Sequence, residues 1–328
     1  VGRRAGFMTG AVLGAIGASV ATYAVSIASF WLLCSGTALM GIYSAFGQYY
    51  RFAAADMATP EFRSKAISWV MAGGIAGGII GPESTKLTRD LAAPEFIASY
   101  GALIGVTLLA LMLLALIDIP PLSQEQRREK GRPLSKIMAQ PVFIVAVLAA
   151  TIGYGVMNLI MTATPLAMSH HHHPFNDAAF VIEWHVIGMF APSFFTGSLI
   201  NRFGVARIML SGAILMTACV IIALADIALL NFWTALLLLG VGWNFLFVGG
   251  TSLLTEAYAP AERAKTQAAN DFIVFSTVAA SSLLSGSLLY HYDWQTVNYA
   301  ALPFIVAVTL AILWLMLRRR ADRPAAAG

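Results

Sequence analysis

The chain has 328 residues, 59% of them hydrophobic and only 11% charged, with a mean hydropathy of +0.76. Soluble domains carry about 25% charged residues, so this composition excludes a water-facing surface and the soluble enzymes and binding modules that need one. The net charge of +4 does not point to nucleic acid, because the basic residues sit in short runs between apolar stretches, where lipid headgroups are their neighbours.

A membrane-spanning helix needs about 20 mostly apolar residues. Ten stretches qualify in chain order: 7–25, 30–52, 66–85, 98–118, 139–166, 178–200, 208–225, 232–253, 267–289 and 298–317. No two-residue alternation of the kind a membrane barrel shows is present, so the fold class is all-α and integral to the membrane. Residues 7–25 are long enough to span and lack a cleavage signature, so they read as a helix rather than a signal peptide. Cys34 and Cys219 both lie inside apolar stretches and imply no disulfide framework.

Charge sets the orientation. With residue 1 in the cytoplasm, seventeen of the twenty lysines and arginines fall on the inner side, among them Arg63, Lys65, Arg127, Arg202, Arg263 and Arg318. Only Lys86 and Arg89 fall outside, while Arg51 lies within a span near its inner end. The positive-inside rule therefore predicts both ends of this chain in the cytoplasm.

Residues 119–138, with Pro120, Pro121, Pro133 and a charged run, form the longest polar stretch and read as a cytoplasmic linker. They separate a first part, 1–118, with four spans from a second, 139–328, with six. The two parts repeat one another. Asp56, Pro60, Arg63 and Lys65 recur as Glu256, Pro260, Arg263 and Lys265 at an offset of 200, each set joining two spans on the inner side. Proline there suits the first turn of the next helix, where its missing N–H costs nothing. Parallel repeats about an axis normal to the membrane are a transporter architecture. Two spans precede Gly204 in the second part, so the alignment predicts two further helices ahead of Gly2, twelve in all.

Val1-Gly2-Arg3-Arg4-Ala5-Gly6 resembles the end of the major facilitator superfamily's loop motif between helices two and three. Gly197 to Gly204 resembles its second-half copy, with Asn201 where an aspartate is usual. Gly73, Gly77, Gly81 and Pro82 resemble part of the antiporter motif of helix five, although Glu83-Ser84-Thr85 stands where that motif closes on glycines. The resemblance covers family helices three to twelve and implies two six-helix halves.

It also implies that helices four, seven and ten line a central cavity, here 30–52, 139–166 and 232–253. Their polar residues fall at helical spacing: Thr37, Gly41, Ser44, Gln48 and Arg51; Thr151, Tyr154, Asn158 and Thr162; Gly240, Asn244, Phe247 and Thr251. Serines and threonines alone are the usual interhelical hydrogen-bonding glue. Gln48, Asn158 and Asn244, on three cavity helices, are expected to touch solute, with stacking on Tyr154, Trp243 or Phe247. Such a site suits a small amphipathic or aromatic organic molecule.

Ionisable groups inside a bilayer are expensive and mark functional sites. Glu183 and His185 lie about 9 and 12 Å in from Asp177, on nearly opposite faces of one helix. Asp271 sits about a turn inside span 267–289. Each is a candidate for proton coupling or, alternatively, a satisfied packing residue. Arg51 is close enough to the inner face to snorkel, with contact to an anionic solute as the alternative.

By resemblance, the loop residues Gly2, Arg3, Arg4, Asp56, Arg202, Gly204 and Glu256 form an inner gate, with Glu256 paired to Arg202 and Asp56 either to Arg4 or to an arginine of the expected preceding segment. The run His170–His173 lies in an outer loop and reads as a solvated, pH-sensitive segment, since adjacent histidines do not share a helical face for a metal. The glycines at 73–78 lie within a span and are followed by no P-loop lysine, so they read as close-packing positions rather than a phosphate cradle. No enzyme chemistry, cofactor or metal site is expected.

The sequence thus predicts a monomeric secondary transporter in a bacterial cytoplasmic membrane, in contact with lipid, its small-molecule substrate and protons, and not with nucleic acid. Proton-coupled export leads; uptake by symport or facilitated diffusion, and a transport-dead sensor that kept the fold, are the alternatives.

Overall fold

A computed structural model describes residues 3–117 and 131–321. Gly2 and most of the expected linker therefore lie outside the described residues, as does the side chain of Arg3. All regular structure among the described residues is helical. The first helices are α1 (Arg3–Ser26), α2 (Phe30–Gln48), α3 (Tyr50–Met57), α4 (Arg63–Ala72), α5 (Gly74–Thr88) and α6 (Ile97–Leu116). A short α7 (Leu134–Met138) leads into α8 (Pro141–His170), α9 (Phe175–Phe190), α10 (Ser193–Phe203) and α11 (Val205–Ala225). The chain then runs through α12 (Leu229–Leu254), a single 3-10 turn at Pro260–Glu262, α13 (Arg263–His291) and α14 (Trp294–Ala321).

Nine helical stretches among the described residues are long and apolar enough to cross a bilayer. The expected span 66–85 is not one continuous helix, because it divides at Gly73 into α4 and α5. Two adjacent glycines are weak helix formers and a common cause of kinks. Gly73 nevertheless keeps right-handed helical angles (φ −57°, ψ −23°), so the axis is interrupted without a loop. Inside these helices many of the small hydroxyls are satisfied locally. Thr22 donates to the Ala18 carbonyl at 2.8 Å, Thr217 to Ala213 at 3.0 Å and Thr309 to Ile305 at 2.7 Å, as an apolar surrounding demands.

The helices gather into two compact units. One holds the chain up to Ala53 together with the described residues from Ala76 to the end of α6. In it α1 packs on α2 and α6 around Phe7, Ala11, Ala53 and Leu114, with Tyr43, Phe46 and Tyr50 against them. The other holds Ala54–Ile75 and everything described from residue 131 onward. There α8 is the central post, packed on α12, α13 and α14, while α11 packs on α12 and α14. Helix α4 lies within this unit, against α10 and α12.

Two backbone features shape the second unit. Gly204 has φ +88°, a left-handed conformation that lets α10 turn into α11 with a single residue between them. At Gly240 an added Cβ would stand 2.5 Å from the His185 carbonyl oxygen, so only glycine admits the close approach of α9 to α12. The last turn of α14 carries Arg318, Arg319 and Arg320, which complement the negative end of the helix dipole.

Candidate functional site

Helix α8 is buried on nearly every face except one line. Thr151, Tyr154, Asn158 and Thr162 are each partly exposed, while their neighbours Gly153, Gly155, Val156, Leu159, Ile160 and Ala163 are buried. The three- and four-residue steps keep these side chains on one face. Tyr154 is the centre of an aromatic cluster. Its ring lies edge-on to Trp243 at 5.3 Å, to Phe247 at 5.3 Å and to Phe275 at 5.7 Å. Trp243 and Phe247, one turn apart on α12, stack at 5.1 Å with only 14° between their planes. Phe190, at the end of α9, meets Trp243 edge-on at 5.7 Å. It also fills the space over Gly74, whose Cβ would come within 2.5 Å of that ring. The close-packing role expected of the glycines thus applies at Gly74, whereas Gly77 and Gly81 have open space among the described residues.

The amides expected to contact solute are engaged by protein. Asn244 is fully buried and donates to the Met189 carbonyl at 2.7 Å and to Ser193 Oγ at 2.5 Å, while its Oδ1 accepts from Thr196 at 2.7 Å. Both amide hydrogens are therefore taken by protein in this conformation. The helix breaks between Phe190 and Ser193, and across that break Asn244 supplies the Met189 carbonyl with a donor. Asn158 donates to the Val278 carbonyl at 3.2 Å and to Ser281 Oγ at 3.1 Å, tying α8 to α13. Thr251 and Phe247 are covered in this conformation, at 2% and 0% exposure.

In the first unit Gln48 Oε1 accepts from Arg51 Nη1 at 2.7 Å, and the same nitrogen donates to the Gln48 carbonyl at 2.9 Å. The guanidinium lies 4.6 Å from the centre of the Phe52 ring. Arg51 is 1% exposed, so it does not snorkel as expected. Local hydrogen bonding and the aromatic face hold it inside.

Among the coupling candidates, Glu183 is exposed and His185 fully buried, on opposite sides of α9. His185 Nδ1 lies 2.7 Å from the Leu236 carbonyl on α12. A carbonyl only accepts, so Nδ1 donates to it; Nε2 has no partner among the described residues. Asp271 is 5% exposed and its Oδ1 accepts from Asn270 at 2.8 Å.

The gate residues pair differently from the expectation. Asp56 faces Arg263 at 3.3 Å, within a cluster where Gln267 donates to Tyr258 Oη at 2.8 Å and to Asp56 Oδ2 at 3.4 Å. Glu256 pairs with Arg319 at 2.6 Å rather than with Arg202. Arg202 is exposed and lies over the ring of Phe203, its chain neighbour, 5.2 Å from the ring centre. Arg4 donates to the Ala115 carbonyl rather than to Asp56. Asn201 donates to the Glu61 carbonyl at 2.6 Å, just ahead of α4. Gly204, Arg207, Arg319 and Arg320 share the lining of an open, basic concavity.

A second clamp had no signal in the repeat. Arg132 donates to Glu262 through its backbone N–H at 2.6 Å, through Nε at 2.8 Å and through Nη2 at 2.7 Å. Glu262 is 2% exposed, and the first copy of the repeat carries Phe62 in its place. Of the histidine run, His173 lies 2.8 Å from the Ile227 carbonyl and edge-on to Phe232, so it fastens two loops rather than standing in solvent.

Polar and ionisable groups held among lipid-length helices have a use when a solute or ion must pass them, and that defines the class as a polytopic membrane transporter. The chain matches the Major Facilitator Superfamily over residues 1–191 and 145–328, and it belongs to that superfamily. It is 44% identical over 320 residues to the riboflavin transporter RfnT of Brucella anthropi, covering 97% of this chain and 80% of that one. It is 28% identical over 331 residues to the uncharacterized MFS-type transporter YddS of Bacillus subtilis, covering 95% and 76%. Among solved structures, the superfamily transporter FucP in its outward conformation superposes with a TM-score of 0.73 at 16% identity, covering 95% of this chain and 83% of that one. A bacterial homologue of the iron transporter ferroportin, in its outward-facing state, superposes with a TM-score of 0.68 at 14% identity, covering 95% and 82%. The FucP and ferroportin-homologue likenesses concern the fold.

Proposed function

We propose that this protein is a secondary transporter of flat heteroaromatic solutes of the riboflavin class, working by alternating access in a bacterial cytoplasmic membrane and coupled to protons. The observation that carries the substrate reading is the aromatic cluster of Tyr154, Trp243, Phe247 and Phe275 beside the part-exposed line of α8. Aromatic faces bind flat rings by offset stacking and edge contacts, worth about 0.5–1.5 kcal/mol per pair beyond the area buried. The 44% identity to a riboflavin transporter supports the same class. In this reading His185, Glu183 and Asp271 are the proton candidates, and the Asp56–Arg263 pair belongs to the cytoplasmic gate.

The test is riboflavin flux in proteoliposomes holding the protein as it occurs in the cell, with and without a pH gradient of either sign. We expect saturable flux that responds to the gradient and falls at least tenfold in Tyr154→Ala. Flux that accelerates with protons entering against riboflavin identifies export, and flux that accelerates with protons entering alongside it identifies uptake. Absence of riboflavin flux would refute the substrate reading, and flux indifferent to the gradient would refute the coupling.

A further inference from the structure

Beside the aromatic cluster two polar atoms are buried with no hydrogen-bond partner among the described residues: Nε1 of Trp243 and Oγ1 of Thr151. Both adjoin Tyr154. Trp243 touches the tyrosine ring directly, and Thr151 stands one turn before it on the same face of α8.

A buried indole N–H almost always finds an acceptor, and leaving a donor unsatisfied costs about as much as several good contacts gain. Trp243 is 1% exposed, so water does not serve it, and three aromatic contacts from Tyr154, Phe190 and Phe247 fix its ring. Many threonines elsewhere in these helices donate to the carbonyl four residues back; Thr164 does so to Ile160 at 2.8 Å on this same α8. Thr151 makes no such bond. By contrast, Asn158 and Asn244 have their amide hydrogens committed to neighbouring helices. The hydrogen-bonding capacity beside Tyr154 thus lies with the two side chains that look least polar in the sequence.

Resting on the substrate reading above, we infer that Trp243 and Thr151 are the specificity-determining donors of the site, and that they select flat heteroaromatic solutes bearing ring carbonyls on one edge. An indole N–H only donates, so its partner must be an acceptor. A solute that turns its rim toward this in-plane N–H must carry the acceptor on an edge. The pyrimidinedione ring of a flavin places two carbonyl oxygens on such a rim. A site built to hydrogen-bond a group rejects analogues that lack it far more strongly than apolar contact alone can, because the donor is then left buried and unmet.

The experiment titrates the purified protein, as it occurs in the cell, with riboflavin and separately with phenazine. Phenazine keeps the flat three-ring frame and two ring nitrogens but has no carbonyl. Trp243→Phe keeps an aromatic ring without the N–H, and Thr151→Val keeps the shape without the hydroxyl. Each variant should weaken riboflavin binding about tenfold, the scale of one buried hydrogen bond, and change phenazine binding less than about twofold. Retained phenazine binding also shows that the variant is folded. Unchanged riboflavin affinity in both variants, or an equal loss for both ligands, overturns the inference and leaves the substrate reading standing. Failure of the unaltered protein to bind riboflavin overturns both.

Discussion

Asp56 and Arg263 lie 3.3 Å apart, so the acid of the first repeat copy meets the arginine of the second. Their side chains are 12% and 19% exposed, and Gln267 adds a hydrogen bond to the same carboxylate. A charge pair this far from water loses little to screening, and it binds the last turn of α3 to the start of α13.

Neutralising either partner should loosen that junction. We expect Asp56→Asn and Arg263→Gln each to destabilise this conformation by about 1–3 kcal/mol, the range of hydrogen bonds to charged groups. The double variant should cost little more than either single one. Accessibility of a cysteine at Ser64 to a thiol reagent, in a background lacking Cys34 and Cys219, reads the opening; additive effects would show that the two residues act separately.

Asn244 is expected to matter for stability before it matters for solute. Asn244→Leu leaves the Met189 carbonyl and the Ser193 hydroxyl without their donor, while Thr196 keeps the Pro192 carbonyl, and should cost about 2–4 kcal/mol. A fall in Tm in detergent, with riboflavin affinity of the folded fraction unchanged, is the outcome to look for. Lost affinity at unchanged Tm would return Asn244 to the solute site.

The Arg132–Glu262 clamp gives a sharper asymmetry. Glu262 is 2% exposed and accepts hydrogen bonds from Arg132 and from the Ala259 N–H at 3.0 Å, whereas half of Arg132 is in contact with solvent. Arg132→Ala leaves a buried carboxylate short of its cation and should destabilise the protein by about 2–4 kcal/mol. Arg132→Ala combined with Glu262→Gln should be less harmful than Arg132→Ala alone, because the charge no longer needs a partner. Thermal unfolding of the three variants settles the order.

For coupling, Glu183→Gln and His185→Gln separate an exposed acid from a sealed imidazole on the same helix. His185→Gln should abolish gradient-driven riboflavin flux while sparing exchange without a gradient; Glu183→Gln should leave both. Intact gradient-driven flux in both variants would shift the role to Asp271 or to another helix.

Orientation has its own test. Cysteine at His172 should react with an impermeant thiol reagent from the periplasm, and cysteine at Ala321 only after the membrane is breached, given the bias of lysine and arginine. Both positions are exposed. Labelling in the opposite sense would invert the topology.

The helical class, the membrane spans and the superfamily were legible in the chain because they rest on local quantities: stretches of about 20 apolar residues, scattered charge and a loop pattern that recurs at an offset of 200. Helical periodicity likewise placed Thr151, Tyr154, Asn158 and Thr162 on one face, since 3.6 residues per turn is fixed before any packing occurs. What each of those residues touches was decided by tertiary structure. Asn244 was committed to α9 because the chain breaks between α9 and α10, next to the Met189 carbonyl, a need that arises far from Asn244 in sequence. Arg51 stayed inside because Gln48 and Phe52 could hold it. Glu256 met Arg319 and Asp56 met Arg263, since an ion pair forms with whichever opposite charge the packed helices bring within reach, and sequence spacing carries no record of that distance.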